Sequence, residues 1–257
     1  MKIIIGFIII TAGFYISLQH LDQSINQFWD IIAFSMVIFG TIAVSVMTMP
    51  SLKLKHTLLI FFKGIGSNHG LREECIKNSI SLMKGEAPSG EIKRIDQKIL
   101  VDGLELLRLG FNTEKIQTIL LDRIEKYTDD SITVAQWVRG LSKYPPAFGL
   151  AGTVMGLIHL MKGLGEGVDP KETGLRMAIA LVATFYGLLV ANVLVNPIGD
   201  RITSNIKEDQ NLAEISLNAI LMLSERTNYV EVVEQMNNYV PSQYKKLSFD
   251  YGEAEAS

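Results

Sequence analysis

The chain has 257 residues, 48% of them apolar and 20% charged, with a formal net charge of -3. Its mean hydropathy is positive, a balance between that of a soluble domain and that of a bare bundle of membrane helices. The acidic whole argues against a nucleic-acid binder held by phosphate contacts. The single cysteine, Cys75, permits no internal disulfide and fits a small buried apolar residue in a reducing compartment.

The apolar residues concentrate in four blocks, Lys2–Leu18, Phe28–Met49, Pro146–Leu164 and Gly174–Ile198. A hydrocarbon core of about 30 Å needs about 20 mostly apolar residues in a helix, a length that the last three blocks meet. The first is marginal and also has the outline of a secretory signal. It runs into Gln19, His20 and Leu21 without a small-x-small cleavage pattern, and a second span follows after a short loop, so a retained helix is expected.

Basic residues near span ends set orientation. Lys2 precedes the first block, Lys53, Lys55 and Lys63 follow the second, Arg139 and Lys143 precede the third, and Arg201 and Lys207 follow the fourth. The linker 19–27 has no lysine or arginine, and 165–173 has only Lys171 among Glu166, Asp169 and Glu172. Both termini are therefore expected in the cytoplasm. The expected fold is an all-α integral membrane protein: transmembrane helices 1 and 2 in 1–50, a helical cytoplasmic domain in 51–144, a transmembrane hairpin in 145–198, and a helical cytoplasmic tail in 199–257.

Within 51–144, Leu71, Cys75, Ile76, Ile80 and Met83 recur at helical spacing, and Pro88, Ser89 and Gly90 are expected to break that helix from the next. Ile92, Ile95, Ile99 and Leu106 resume the stripe before Gly110 and Asn112, a C-cap and turn. Ile116, Ile119, Leu120, Arg123, Ile124 and Tyr127 form a further stripe. Beyond the fourth block, Ile202, Ile206, Ile215 and Leu223 extend the span into a long helix, and Val232, Val233, Met236 and Tyr239 form an amphipathic helix ending at Pro241. The small, acidic end, 252–257, is expected to be disordered.

No enzyme signature is present: the four histidines, His20, His56, His69 and His159, lack metal-site spacing, and there is no phosphate loop, dinucleotide fingerprint or nucleophile elbow. The hairpin is more informative. Gly149, Gly152 and Gly156, and in the second arm Ala183, Gly187 and Ala191, place small residues where membrane helices approach closely. Each arm carries a central threonine, Thr153 and Thr184. A membrane threonine either returns its hydroxyl to a carbonyl one turn earlier, or helps replace the water shell of an ion, since hard cations take oxygen ligands. Neither hydroxyl holds charge, and no aspartate or glutamate lies within a span interior. His159, Lys162 and Arg176 lie toward span ends, where snorkelling accounts for them. If ions pass, a partner helix brings the acid.

The segments PPAFGLAGTVMGLIHLM (145–161) and MAIALVATFYGLLVANVLVNPIGDRI (177–202), with the tail NYVEVVEQMNNYV (228–240), resemble the flagellar stator A subunit of the MotA/PomA type, within the group that includes ExbB and TolQ. The resemblance implies an inner-membrane unit in which five copies surround two single-span B subunits. The B subunits' transmembrane aspartate accepts the travelling cation, and the ring turns to push the rotor switch protein. It implies no cofactor beyond that cation. Pro146 and Pro197 match the family's two prolines, at a joint between channel and cytoplasmic lever. Thr153 and Thr184 match hydroxyl positions of sodium-type members, so sodium is favoured over protons. Lys84 and Glu91 align with charged rotor-facing positions, although Lys93 and Arg94 stand where further acid is usual. An ExbB/TolQ-like transducer acting on an envelope partner is the alternative reading, and a passive scaffold without ion flux is a third.

Overall fold

The computed structural model describes residues 2–20, 28–50, 54–65, 71–83, 94–165 and 169–240. Every regular element among them is helical. In order these are α1 (Lys2–His20), α2 (Ile31–Met47), α3 (Leu54–Ile65), α4 (Leu71–Met83), α5 (Ile95–Arg108), α6 (Thr113–Leu141), α7 (Tyr144–Gly165), α8 (Pro170–Leu189), a π-helical segment (Val190–Val195), α9 (Asn196–Ser224) and α10 (Tyr229–Asn237). The all-helical expectation holds. The break expected at Pro88–Gly90, the residue Pro241 and the tail 252–257 lie outside the described residues. The chain forms two compact units, Met1–Leu58 with Thr133–Ile202, and Leu59–Ile132 with Thr203–Ser257.

In the first unit α7 and α8 pair along their lengths, and α2 packs against both. Helix α2 starts where the Asp30 carboxylate accepts the amides of Ile32 and Ala33, both at 2.8 Å, answering two donors that the first turn leaves without carbonyls. Pro145 and Pro146 fall in the first turn of α7, where a missing amide donor costs no helical bond. Large apolar side chains point outward along this unit: Ile9, Ile16, Ile32, Phe39, Val46, Met155 and Leu181 are each more than half exposed. Water would penalise such a surface heavily, so lipid or partner chains are its natural cover.

The second unit has the opposite polarity, with Ile76, Ile99, Leu100, Ile116, Leu120, Leu212, Ile220 and Met236 almost wholly buried in one core. The stripe expected on α6 is the one that packs, save for Arg123, which turns out of it to pair with Asp102 at 2.5 Å. Helix α5 ends at Gly110, whose φ of +78° favours a residue without a Cβ. There the amide of Phe111 returns to the Leu106 carbonyl at 3.2 Å and that of Gly110 to Leu107 at 3.0 Å, closing the C-terminus. Asn112 then caps α6 by accepting the Lys115 amide at 3.1 Å. Cys75 is buried, and desolvation pushes its thiol up to about 12.

Candidate functional site

The two arms of the hairpin meet through glycines. A methyl on Gly149 would lie 2.7 Å from the Ala183 carbonyl oxygen and 3.0 Å from the Thr184 Cα. One on Gly152 would lie 2.8 Å from the Ala183 Cβ, and one on Gly156 would lie 3.1 Å from the Ala180 Cα. One on Gly187 would lie 2.9 Å from the Pro146 Cα, so Pro146 and Gly187 are neighbours across the interface. Without a hydrophobic gain between helices in lipid, this approach is held by dispersion and hydrogen bonds at short range. Helix α2 reaches the same seam, with Gly40 against the Phe148 ring.

That closeness brings Thr153 and Thr184 together. Their hydroxyls hydrogen-bond each other, and Thr153 Oγ1 is also 3.2 Å from the Gly149 carbonyl and 3.0 Å from that of Ala180. Thr184 Oγ1 is 3.4 Å from the Gly149 carbonyl, on the opposite arm. Two hydroxyl protons thus face two hydroxyl and two carbonyl oxygens from two helices. One hydroxyl donates its proton to the other, which donates its own to a carbonyl, and at least one carbonyl lone pair is left over for a further donor or a cation. The bond to the carbonyl one turn earlier, expected of a membrane threonine, is present for Thr153; Thr184 reaches across the hairpin instead. Both threonines are half-buried.

The group is electrically neutral. His159 and Lys162 are exposed on the far part of α7; Arg176 belongs to α8. Among the described residues no cluster of three or more His, Cys, Asp or Glu side chains is placed to hold a metal.

Pro197 lies one residue inside α9, directly after the π segment. The amide of Asn196 bonds the Ala191 carbonyl, five residues back. Proline has no amide to give and clashes with the carbonyl four residues earlier, and a widened turn just before it relieves both demands. Sequence periodicity gave no sign of this segment, because a single inserted register step leaves the apolar run unbroken.

Two further contacts were not legible. The Tyr186 hydroxyl donates to the Phe28 carbonyl and accepts the Asp30 amide at 3.2 Å, pinning the entry of α2 to α8, with Phe14, Phe28 and Phe185 rings clustered beside it. On the exposed side, the Asn196 amide donates to the Asn192 side chain at 3.2 Å, and Asn192 donates to the Leu188 carbonyl at 3.0 Å. The only cue to either was a polar side chain inside an apolar run.

Of the charged positions aligned with a rotor-facing surface, Lys84 and Glu91 lie outside the described residues, as does Lys93. Arg94 is described, and it faces inward. Its guanidinium grips both Asp96 carboxylate oxygens at 2.7 and 3.0 Å, reaches Glu74 at 2.9 Å and bonds the Leu71 carbonyl at 3.3 Å. Asp96 is 1% exposed. Arg94 is therefore a structural clasp joining the starts of α4 and α5, which explains a base standing where the family pattern leads one to expect acid.

An all-helical chain whose first unit shows an apolar exterior around a close-packed hairpin, with a neutral oxygen group between its arms, has the character of a channel subunit. Residues 91–215 match the MotA/TolQ/ExbB proton channel family. That match spans just under half of the chain. Within the family its likeness is to the motility proteins, as the hairpin and tail motifs imply. It is 24% identical to motility protein A of Borreliella burgdorferi over 259 residues, covering 97% of each chain. It is also 24% identical to the chemotaxis protein PomA of Vibrio alginolyticus, covering 93% of this chain and 94% of that one. The fold is that of C. jejuni MotAB, with a TM-score of 0.78 at 20% identity, covering 97% of this chain and 99% of that one. The flagellar MotAB stator complex of Bacillus subtilis gives 0.77 at 22% identity, covering 95% and 97%.

Proposed function

We propose that this chain is the A-type subunit of an ion-driven flagellar stator, a non-catalytic subunit that couples inward cation flow to torque on the rotor. The observation that carries the reading is the neutral oxygen group of Thr153, Thr184, Gly149 and Ala180 at the seam of α7 and α8. Such a group strips water from a passing cation but cannot neutralise it, so the charge belongs to the transmembrane aspartate of a B-type single-span partner. In this reading α1, α2, α7 and α8 cross the inner membrane, 51–144 and 199–257 face the cytoplasm, and five copies surround the partner. Pro146 and Pro197 act as joints, and Lys84 and Glu91 meet the rotor switch protein. Two hydroxyls side by side favour sodium over protons. End-to-end similarity to motility proteins supports a flagellar role over that of an ExbB/TolQ-like transducer.

Mechanistically, a cation carried on the partner's acid is offered oxygen ligands at the threonine pair as it leaves water, and Pro197 with the π turn gives the helix a place to flex as the cation passes. The test is flux in liposomes. The chain with its B-type partner conducts sodium, and the chain alone does not. Selective conduction by the chain alone refutes the assignment of the charge to a partner. Swimming speed that follows pH and ignores sodium overturns the choice of ion.

A further inference from the structure

The chain contains two tryptophans, Trp29 and Trp137, and the first unit places them at opposite ends of one helix. Trp29 directly precedes α2 and is 77% exposed although it is the largest apolar side chain available. Trp137, half-buried on α6, donates its indole N–H to the Thr48 hydroxyl at 3.3 Å, just past the last residue of α2. Between these ends α2 runs for 17 residues, about 26 Å at the rise of an α-helix. Its outward side chains in that interval are Ile31, Ile32, Phe34, Phe39, Ile42, Val46 and Met47.

Each tryptophan has polar company. Trp29 adjoins Asp30, whose carboxylate is occupied with capping. Tyr15, half exposed on α1, shares a hydrogen bond with Gln19 at 3.1 Å, and its neighbour Phe14 stacks on Phe185 and meets the ring of Phe28, the residue before Trp29, edge-on. Near Trp137 stand the exposed Arg139 and Lys143, the latter 5.0 Å from the ring centre of Tyr144. Indoles with an apolar body and one donor settle where hydrocarbon gives way to headgroups, and basic groups accompany them.

We propose that Trp29 and Trp137 seat this chain in a phospholipid bilayer, each indole lying at one headgroup boundary and the α2 face between them covered by acyl chains. The spacing fits a hydrocarbon thickness of about 30 Å. The assignment rests on the membrane reading of the first unit and adds to it the two planes and the residues that hold them. A bilayer thinner or thicker than this span forces tilt or local deformation.

The experiment uses the full chain, with Trp29→Phe and Trp137→Phe each leaving one fluorophore, reconstituted into phosphatidylcholine vesicles whose tails are brominated either near the headgroup or near the tail end. For both variants, bromines near the headgroup should quench about twofold more strongly than those near the tail end, as interfacial residence requires. Stronger quenching by tail-end bromines, or quenching of Trp29 by aqueous iodide with none by either lipid, overturns the assignment. Because incorporation is measured separately by flotation, a chain that floats with vesicles but shows aqueous tryptophans refutes these planes alone, whereas one that fails to float refutes the membrane reading itself.

Discussion

Gly149→Ala probes the geometry on which the site depends. The added methyl would stand 2.7 Å from the Ala183 carbonyl oxygen, whereas ordinary contact begins near 3.4 Å, so the arms must part there by about 0.7 Å. The atoms it meets are backbone, which yields less readily than the end of a flexible side chain. A gap of that size forfeits a quarter to a half of each neighbouring dispersion contact, and overpacking of this kind costs about 1–3 kcal/mol. Gly13 supplies the control, because a methyl there meets nothing within 4 Å; glycine to alanine within a helix gains about 1 kcal/mol at either position, which leaves Gly149→Ala a net loss of up to about 2 kcal/mol. In thermal unfolding of the purified chain with its partner, Gly149→Ala should melt several degrees lower, at about 2–4 °C per kcal/mol, while Gly13→Ala should not. Ion flux should fall as well, since the Thr184 Cα lies 3.0 Å from the new methyl. If both variants melt at or above the parent temperature, the hairpin is not held by close glycine contact and the argument fails.

Thr184→Ala should lower ion flux without preventing assembly, and Thr184→Ser should restore it; equal flux in parent and Thr184→Ala removes the hydroxyl from the path. Pro197→Leu, which restores an amide after the π segment, should leave flux measurable while swimming speed falls, and unchanged swimming refutes its role as a joint. Arg94→Ala leaves the Asp96 carboxylate, 1% exposed, without its guanidinium, a loss of about 3–5 kcal/mol for a broken buried pair. Adding Asp96→Asn should recover part of it, and a melt with no recovery denies the clasp. The Cys75 thiol is held up to about 12 by burial, against 9.0 ordinarily. An unfolded chain thus ionises first as pH rises: the stabilisation is fully present below about pH 9 and is lost between there and pH 12, at up to about 1.4 kcal/mol per pH unit. Denaturant melts should show that alkaline slope in the parent and a flatter one in Cys75→Ala, with identical slopes counting against the burial.

Helical character was plain in the sequence, because stripes such as Ile116, Leu120 and Ile124 are a local property of spacing and their burial follows from the same arithmetic. The ends of helices were also legible where chemistry fixes them, as at Gly110 and Asn112. Direction was harder. Arg94 and Arg123 each stand where spacing or alignment predicts a different role, and a long guanidinium stem swings toward whichever carboxylate the fold supplies, Asp96 for one and Asp102 for the other. Contacts made over long separations were invisible: nothing local to Tyr186 announces the carbonyl of Phe28. At the site, the identity of the two threonines and the run of glycines were on the page of residues. That the hydroxyls touch, and that they share carbonyls from both arms, depends on sub-ångström separation that spacing does not encode.

The segment Val190–Val195 gives the helix a place where its length can change by one residue. A π turn houses one residue more than the α register would, so a codon deletion there is the cheapest structural repair available: the widened turn tightens to an ordinary one and no amide is stranded. The helix would survive with the residues on either side keeping their faces, so Thr184 stays on the seam it shares with Thr153, whereas the same deletion in the regular helix of Pro170–Leu189 would turn the preceding residues by about 100° about the axis. In a screen of single-codon deletions this short stretch should therefore be the part of the helix that tolerates a loss, while deletions between Thr184 and Leu189 should part the two hydroxyls.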